Sequence, residues 1–386
     1  MSNTNLQAWL IEQITRKPPL EVLFSGFCKK LVKQGLPIWR VNIGLETLHP
    51  ADIGFSFLWL DGELTERSRA RSGILTSSDY LNSPAKIVDE TNRPFFWQQG
   101  EDDRSMEVLV NLQAEGMTGY VMLPLPFLDT FRSASLSFAT RRPGGFTEAI
   151  IAELTAATIL LSPLAERIAL RRVALDALTA YLGPIAAQRA YSGQIERGDL
   201  HTIRAAILVT DLRNFTLLSD RMERRAMVSL LDRWFAVIGA EIESHGGDIL
   251  KFMGDGLLAV FPVEDDPSAV CDRALAAALA GMAGTEKLNA DLVLEGIAPL
   301  RYGQALHLGD VEFGNIGAAR RIDFTVIGPA VNQASRLQDQ TKKLETPIVT
   351  SATFAAAAGR KLRSLGFHAL RGVAEPVEIF TPLQGK

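Results

Sequence analysis

The sequence predicts an α+β fold distributed over more than one domain, and three observations lead to that prediction. The chain has 386 residues, well above the ~150 residues of a typical domain. Short apolar strand-like runs alternate with amphipathic helix-like segments along most of its length. Hydrophobic residues make up 47% and charged residues 22% of the chain, a composition that is typical of packed globular proteins and too apolar for a disordered one.

Charge and cysteine content exclude several classes of protein. Forty basic and forty-four acidic side chains leave a net charge of -4, whereas binding to nucleic acid or to an anionic membrane calls for a basic excess. The two cysteines, Cys28 and Cys271, lie far apart without metal-ligand spacing, which argues against a disulfide scaffold and a zinc site. The N-terminus lacks a signal-peptide pattern, and apolar segments such as 149–161 fall short of the ~20 residues that span a membrane. We therefore expect a soluble, cytoplasmic protein without a membrane span.

Residues 1–146 are expected to form one mixed α/β domain. Strand-like runs lie at 35–43, 53–60, 120–127 and 134–140, a helix is expected at 105–114, and 65–79 is polar and loop-like. This pattern resembles small sensor domains of the GAF or PAS type. No motif identifies the signal that this domain would sense, so we expect an unknown small molecule or protein. His49, beside Pro50, is better explained as a solvated loop residue than as a haem ligand.

Residues 147–203 are expected to form a helical linker. Apolar residues recur at heptad spacing, which favours two helices supercoiled side by side; an amphipathic helix packed on its own domain is the alternative. Arg171 interrupts the apolar series, Pro163 should kink the helix or break its hydrogen bonding, and Gly183-Pro184 ends it. The heptad positions are Leu154, Ala157, Leu161, Leu164, Ile168, Leu175, Leu178 and Leu182.

Residues 204–386 are expected to form a third region with a different pattern. Strand-like segments at 204–210, 248–253, 257–261, 302–308 and 322–327 alternate with helices at 226–243 and 267–290. The resulting β-α-β-β-α-β order is that of a ferredoxin-like sandwich, in which helices cover one face of the sheet.

Two aspartates in this region are candidates for a metal site. Asp211 lies where the first strand ends, and Asp255 lies at the tip of the hairpin Gly254-Asp255-Gly256. In a ferredoxin-like sheet these two places are neighbours, so the carboxylates should repel each other unless a divalent cation lies between them. Such oxygen ligands suit Mg²⁺ or Mn²⁺. Taken singly, Asp211 is also explained as a cap and Asp255 as a turn residue.

Three further side chains have the chemistry of a phosphate or base site. Asn332 and Arg336 are four residues apart on an expected helix, so they leave the same face and are able to hold a ribose and stabilise phosphoryl charge; a solvated polar face is the alternative. Lys251 is a charge inside an otherwise apolar strand. Either it projects from an exposed face or it reaches a ligand across an interface.

Four segments together resemble the catalytic domain of class III adenylate and guanylate cyclases. They occur in the family's order and at its separations, over about 204–380, and their combination is far more specific than any one motif. The segments are VTDLRNFT, ILKFMGDGLLAVF, HLGDVEFGNIG and FTVIGPAVNQASRL. The segments around 181–184 and 194–199 are similar to the linker of bacterial soluble cyclases that carry an N-terminal sensor.

The resemblance implies a role for each matching residue. One departure is Asn214, where glycine is commoner in the family. Threonine at position 325, where many members have an aspartate, marks a subgroup of adenylate cyclases. The implied roles are metal binding for Asp211, Asp255 and the backbone carbonyl of Leu212, purine contacts for Lys251 and Thr325, ribose orientation for Asn332, and transition-state stabilisation for Arg336.

The implied reaction is cyclisation of ATP to 3′,5′-cyclic AMP with release of pyrophosphate, at a site that holds two Mg²⁺ or Mn²⁺ ions. The family builds each site from two chains, which implies a homodimer. A guanylate cyclase and a non-catalytic nucleotide-binding regulator of the same fold are the alternatives. A diguanylate cyclase would need a GG(D/E)EF turn, which Gly254-Asp255-Gly256 does not supply.

Overall fold

A computed structural model describes residues 2–47, 52–70, 76–100, 106–128, 134–220, 222–318 and 320–383. Its contacts divide the chain into two units, Met1–Tyr181 and Leu182–Lys386. The expected boundaries after residues 146 and 203 stay predictions. His49 lies outside the described residues, as does the first residue of the helix expected at 105–114.

The first unit contains a six-stranded antiparallel sheet. Its elements are α1 (Ser2–Arg16), α2 (Leu20–Lys33), β1 (Arg40–Glu46), β2 (Asp52–Leu60), β3 (Glu63–Ala70), α3 (Ser78–Leu81), α4 (Pro84–Thr91), β4 (Phe95–Gln98), α5 (Glu107–Ala114), β5 (Gly119–Pro124), β6 (Ala134–Thr140) and α6 (Glu148–Leu182). The strand order is β3-β2-β1-β6-β5-β4. Apolar side chains of α1, α2 and α6 cover one face, and those of α4 and α5 cover the other. The expectation of a loop over 65–79 was wrong where β3 lies, because this strand is polar yet pairs with β2.

The heptads of the long helix α6 have two explanations, a coiled coil with a second chain and packing on the helix's own domain. Burial decides between them over the first half of the helix. Leu154, Ala157, Leu161 and Leu164 are buried in the core of the first unit, so they are not available to a helix of another chain. Leu175 and Leu178 are half-buried, and their pairing with a second chain stays a prediction. The helix continues through Pro163, where the sequence predicts a kink or a break.

Helix α6 also corrects the expectation about membrane-spanning length. Among the described residues it is the helix that is long and apolar enough to cross a membrane, by length and hydropathy alone. This is weak evidence for a span, because a core helix of a soluble protein passes the same test and α6 buries residues such as Ala165 and Ala169 in its own unit.

The second unit is built on a larger sheet. Its elements are α7 (Pro184–Tyr191), β7 (Leu200–Leu212), α8 (Phe215–Ser219), α9 (Arg224–Ser244), β8 (Asp248–Met253), β9 (Gly256–Pro262), α10 (Pro267–Leu294), β10 (Tyr302–Ala318), β11 (Arg321–Ile327), α11 (Pro329–Lys343), β12 (Ile348–Ser351), α12 (Ala352–Ala357), β13 (Leu362–His368) and β14 (Val377–Pro382). The strand order over the described residues is β13-β14-β12-β10-β7-β9-β8, and β11 pairs with β10 outside this series. Within it, β10, β7, β9 and β8 are antiparallel neighbours.

Both faces of this sheet are covered, where the sequence predicts helices on one face. Helices α9 and α10 bury an apolar core that includes Trp234, Phe261 and Leu306 on one side. On the other side, a second core joins the sheet to α7, β11 and α11 through residues such as Ala186 and Ala334. The second face is covered because β10 continues to Ala318, ten residues beyond its expected end, and turns back as β11.

Candidate active site

Asp211 and Asp255 are brought together by the sheet register, as the sequence predicts. Asp211 lies near the end of β7 and pairs with Gly256, the first residue of β9. Asp255 lies in the turn before it, and its carbonyl oxygen accepts a hydrogen bond from the Leu212 N–H at 3.1 Å. A Cβ atom at Gly256 would lie 2.4 Å from the Thr210 carbonyl oxygen and 2.9 Å from Asp211 Oδ1. Glycine is therefore required where the two aspartates meet.

The electrostatics of this pair suit a cation. Burial is the main cause that raises the pKa of Asp211 to about 6, and the charges of Asp255 and Asp339 contribute to the same rise. Burial also raises the pKa of Asp255, although a hydrogen bond from its own backbone opposes this. Each carboxylate is thus costly to ionise without a positive partner.

The loop after Asp211 explains the departure at Asn214. Its φ angle is 60°, which lies in the left-handed region. Glycine adopts this region without steric strain, and asparagine tolerates it better than most other residues do. The backbone therefore takes a conformation that glycine favours although glycine is absent, and the loop need not change shape.

Arg213 ties the same loop to α11. Its Nη2 atom donates hydrogen bonds of 2.8 Å to the carbonyl oxygens of Thr341, in the last turn of that helix, and of Thr346, in the segment after it. The last four carbonyl groups of a helix, which include that of Thr341, have no partner inside the helix. The segment that carries Asp211 is thereby joined to the helix that carries Asn332 and Arg336.

Asn332 and Arg336 lie one turn apart on α11. This helix begins at Pro329, directly after Gly328, and proline suits the first helical turn because the N–H that it lacks would have no partner there. Asn332 is exposed and Arg336 is half-buried. The Arg336 guanidinium donates a long hydrogen bond of 3.4 Å to the Gly372 carbonyl oxygen, which uses one of its five N–H donors.

Lys251 and Thr325 lie on β8 and β11. Lys251 is exposed, at the start of the last three residues of β8, and the strand has an irregularity in register just before it. Its ammonium group forms an ion pair and hydrogen bond with the Asp323 carboxylate. Thr325 is half-buried two residues further along β11.

Comparison with known proteins identifies the unit that carries these residues. The family model of the adenylate and guanylate cyclase catalytic domain matches residues 201–376. An adenylate cyclase of Anabaena cylindrica is 37% identical over 153 residues, which cover 39% of this chain and 30% of that protein. The second unit contains an adenylate and guanylate cyclase catalytic domain.

Two solved structures are also similar. The guanylyl cyclase Cya2 is 31% identical, with 47% of this chain and 92% of that chain covered and a TM-score of 0.43. A bacterial light-regulated adenylyl cyclase is 15% identical, with 89% of this chain and 94% of that chain covered and a TM-score of 0.51, so it shares the fold. The matched part of this chain spans about a third of the length of the curated relatives.

Within the cyclase domain, the structure brings the two carboxylates together and places Asn332 and Arg336 on one helix. Lys251 is linked through Asp323 to β11, the strand that carries Thr325. Among the described residues, no cluster of three or more histidine, cysteine, aspartate or glutamate side chains is arranged as a metal site.

Sequence reasoning missed Arg213 and Asp323. Both residues form contacts that are distant in sequence: Arg213 and Thr341 are 128 positions apart, and Asp323 and Lys251 are 72 positions apart. The one available signal was the alternation in β11, which places Asp323 on the same face as Thr325.

Proposed function

We propose that this protein is an adenylate cyclase, which converts ATP to 3′,5′-cyclic AMP and releases pyrophosphate. The observation that carries the proposal is the pair Asp211 and Asp255, held side by side by the pairing of β7 with β9 in a cyclase domain. Proteins of this family bind a nucleotide, generally use divalent metal ions and act as dimers.

The donor set fits Mg²⁺ or Mn²⁺. Two carboxylates offer hard oxygen ligands. A dication would offset the cost of ionising Asp211, whose pKa is raised first by burial and then by the neighbouring acidic charges. Asp211, Asp255 and the backbone carbonyl of Leu212 would hold two ions in each site. When bound, these ions would make the ribose 3′-hydroxyl a better nucleophile and neutralise the departing pyrophosphate.

Lys251 and Thr325 would select the base. A lysine ammonium only donates hydrogen bonds, which matches the acceptor at adenine N1, and the Thr325 hydroxyl would accept from the exocyclic amine. Because a hydroxyl also donates, it rejects guanine less strictly than a carboxylate would. A guanylate cyclase, the alternative activity, would differ from this site at these two contacts.

Asn332 and Arg336 would act on the sugar and the phosphate. The Asn332 amide would orient the ribose so that its 3′-oxygen lies in line with the α-phosphorus. The Arg336 guanidinium would stabilise negative charge that grows on the α-phosphoryl oxygens. A non-catalytic regulator, the other alternative, is disfavoured because a metal-binding aspartate or this arginine would normally be missing, and the sequence retains them all.

The chain would work as a homodimer in which each site takes residues from both copies. The carboxylates of one chain would face Lys251, Thr325, Asn332 and Arg336 of the other, and two identical chains would form two equivalent sites around a two-fold axis.

The strand order β10-β7-β9-β8, with antiparallel neighbours, supports a ferredoxin-like core for this domain.

The first unit would be a GAF-like sensor in a cytoplasmic enzyme. Its antiparallel sheet with helices on both faces supports a ligand-responsive domain of this type, and its signal is an unidentified small molecule or protein. Helix α6 would transmit the signal, since it belongs to the first unit and ends where the second begins.

Subunit complementation tests the shared site. Asp211→Ala and Arg336→Ala should each be inactive alone, since each removes a necessary group from both sites of the homodimer. A mixed dimer has one site with both lesions and one with neither. With random exchange half of the dimers are mixed, so activity should return to at most about a quarter of the wild-type value. If subunit exchange is verified and the mixture stays inactive, the shared-site assembly is wrong.

Substrate identity is tested by supplying ATP or GTP with Mg²⁺ or Mn²⁺ and measuring each cyclic nucleotide. We expect cyclic AMP as the main product and loss of activity in Asp255→Ala. Cyclic GMP as the main product would favour the guanylate cyclase, and nucleotide binding without any product would favour the regulator.

A further inference from the structure

The ion pair between Lys251 and Asp323 joins the two strands that carry the proposed base contacts. Lys251 lies on β8 and Asp323 on β11. Both side chains are about half exposed, at 47% and 50% of their full accessible surface. The pair is therefore open to a ligand, and it lies outside the apolar core.

The alternation of β11 places the Asp323 carboxylate on the same side as Thr325. Phe324 and Val326 point into the core beneath the strand, where they are buried, so Thr325 between them and Asp323 before them face the other way. Asp323 and Thr325 are thus neighbours on one face, with the Lys251 ammonium held at the first of them.

We infer that Asp323 is a positioning residue for base recognition: its carboxylate holds the Lys251 ammonium beside Thr325, in place to donate to the purine. This inference rests on the proposed function, since it assigns the base contacts to Lys251 and Thr325. Asp323 itself need not touch the nucleotide.

Flexibility of the lysine gives the pair its effect on binding. A lysine side chain has four rotatable bonds, and ordering it when a ligand binds reduces affinity. An ammonium already held by Asp323 has lost much of that freedom before the base arrives. It still has two further N–H donors, one of which suffices for the purine.

The same contact contributes little to folding. Ion pairs between half-exposed side chains are screened by water and add little to the free energy of unfolding. Removal of the Asp323 carboxylate should therefore weaken nucleotide binding while leaving thermal stability unchanged. A purely structural role would produce the opposite result.

The experiment measures KM and kcat for ATP, and the Kd of 3′-deoxy-ATP, which lacks the attacking hydroxyl and cannot be cyclised. The variants are Asp323→Ala, Asp323→Glu, Lys251→Ala and the double variant Lys251→Ala/Asp323→Ala. Asp310→Ala is the matched control, because it removes an exposed strand aspartate from the same unit. Circular dichroism and thermal unfolding monitor the fold.

We expect Asp323→Ala to raise KM and Kd by about 3- to 10-fold, the effect of one newly mobile side chain, with kcat changed less than about twofold. Asp323→Glu should recover part of the loss, and Asp310→Ala should behave as wild type. In the Lys251→Ala background, Asp323→Ala should cause no further loss, because its effect passes through the lysine.

Equal losses from Asp323→Ala in both backgrounds, or no change in Kd in the wild-type background, would overturn the inference. A fall in unfolding temperature that accounts for the weaker binding would also overturn it. Failure of the proposed function is a separate result: a wild-type protein that binds 3′-deoxy-ATP but makes no cyclic nucleotide. The Kd cycle would still decide the role of Asp323.

Discussion

Replacing Arg213 by methionine should loosen the C-terminal end of α11. The Arg213 Nη2 atom donates to the Thr341 and Thr346 carbonyl oxygens at 2.8 Å each, and hydrogen bonds with a charged donor contribute about 1.5–3 kcal/mol apiece. One nitrogen serves both oxygens, and water partly replaces it in the variant. We therefore expect a loss of about 3 kcal/mol in the free energy of unfolding. For a unit of this size that corresponds to a fall of about 6–12 °C in Tm.

Hydrogen exchange and calorimetry measure this effect on the full chain. Backbone amides such as Leu344 N–H and Thr346 N–H, which bond within this helix end, should exchange faster in Arg213→Met. Arg301→Met is the control, because Arg301 is an exposed neighbour whose charge acts on Arg213. If Arg213→Met matches that control in both Tm and exchange, then the two hydrogen bonds do not hold the helix end and the reasoning is wrong.

Substitutions at three other positions test local features of the second unit. Burial raises the pKa of Asp248 to about 6 from 3.8, so the folded state binds more protons than the unfolded state between these values and stability falls as pH rises from about 4 to about 6. Asp248→Asn should therefore raise stability by about 1–3 kcal/mol at pH 7.5 and leave it unchanged near pH 4; a constant difference across this range contradicts the assignment. Asn214→Gly should be neutral while Asn214→Ala costs about 1 kcal/mol in chemical denaturation, because the φ angle there is positive; equal effects would mean that the loop rearranges. Gly183→Ala should lower Tm, since its φ is 81° and its Cβ would lie 2.8 Å from Asp248 Oδ1, and an unchanged Tm would show that the backbone there adjusts freely.

The helices and strands of the cyclase domain up to α11 were largely predictable, because each carries its own periodicity. Helix α9 was predicted within two residues of each end, and β8 was predicted with its observed bounds. Strand β10 was predicted too short, because Gly309-Asp310 is typical of a turn although the strand continues through it.

Other features depend on partners that the local sequence does not specify. Among the described residues, strand β3 lies at the edge of its sheet, next to β2. Edge strands are commonly protected by charge, so its polar sequence resembles a loop. Heptad spacing is the same whether a helix packs on its own sheet or on a second chain, which is why the burial of Leu154 and Leu161 was needed to decide. The carboxylate pair was predictable because turn chemistry and strand order place both residues; the Lys251–Asp323 contact needed the folded chain.

The unbroken strand β10 has a consequence for how two catalytic sites would communicate. Near its beginning Gly303 pairs with Asp211, and near its end Gly314 pairs with Thr325. One continuous strand thus carries both the edge proposed to bind the metal ions and the edge proposed to bind the base. In the proposed homodimer these two edges contact different nucleotides. A displacement of β10 that strengthens nucleotide binding at one site would therefore also move residues of the other site. The two sites would be coupled through the backbone of β10, and cooperativity between them would need no separate regulatory element.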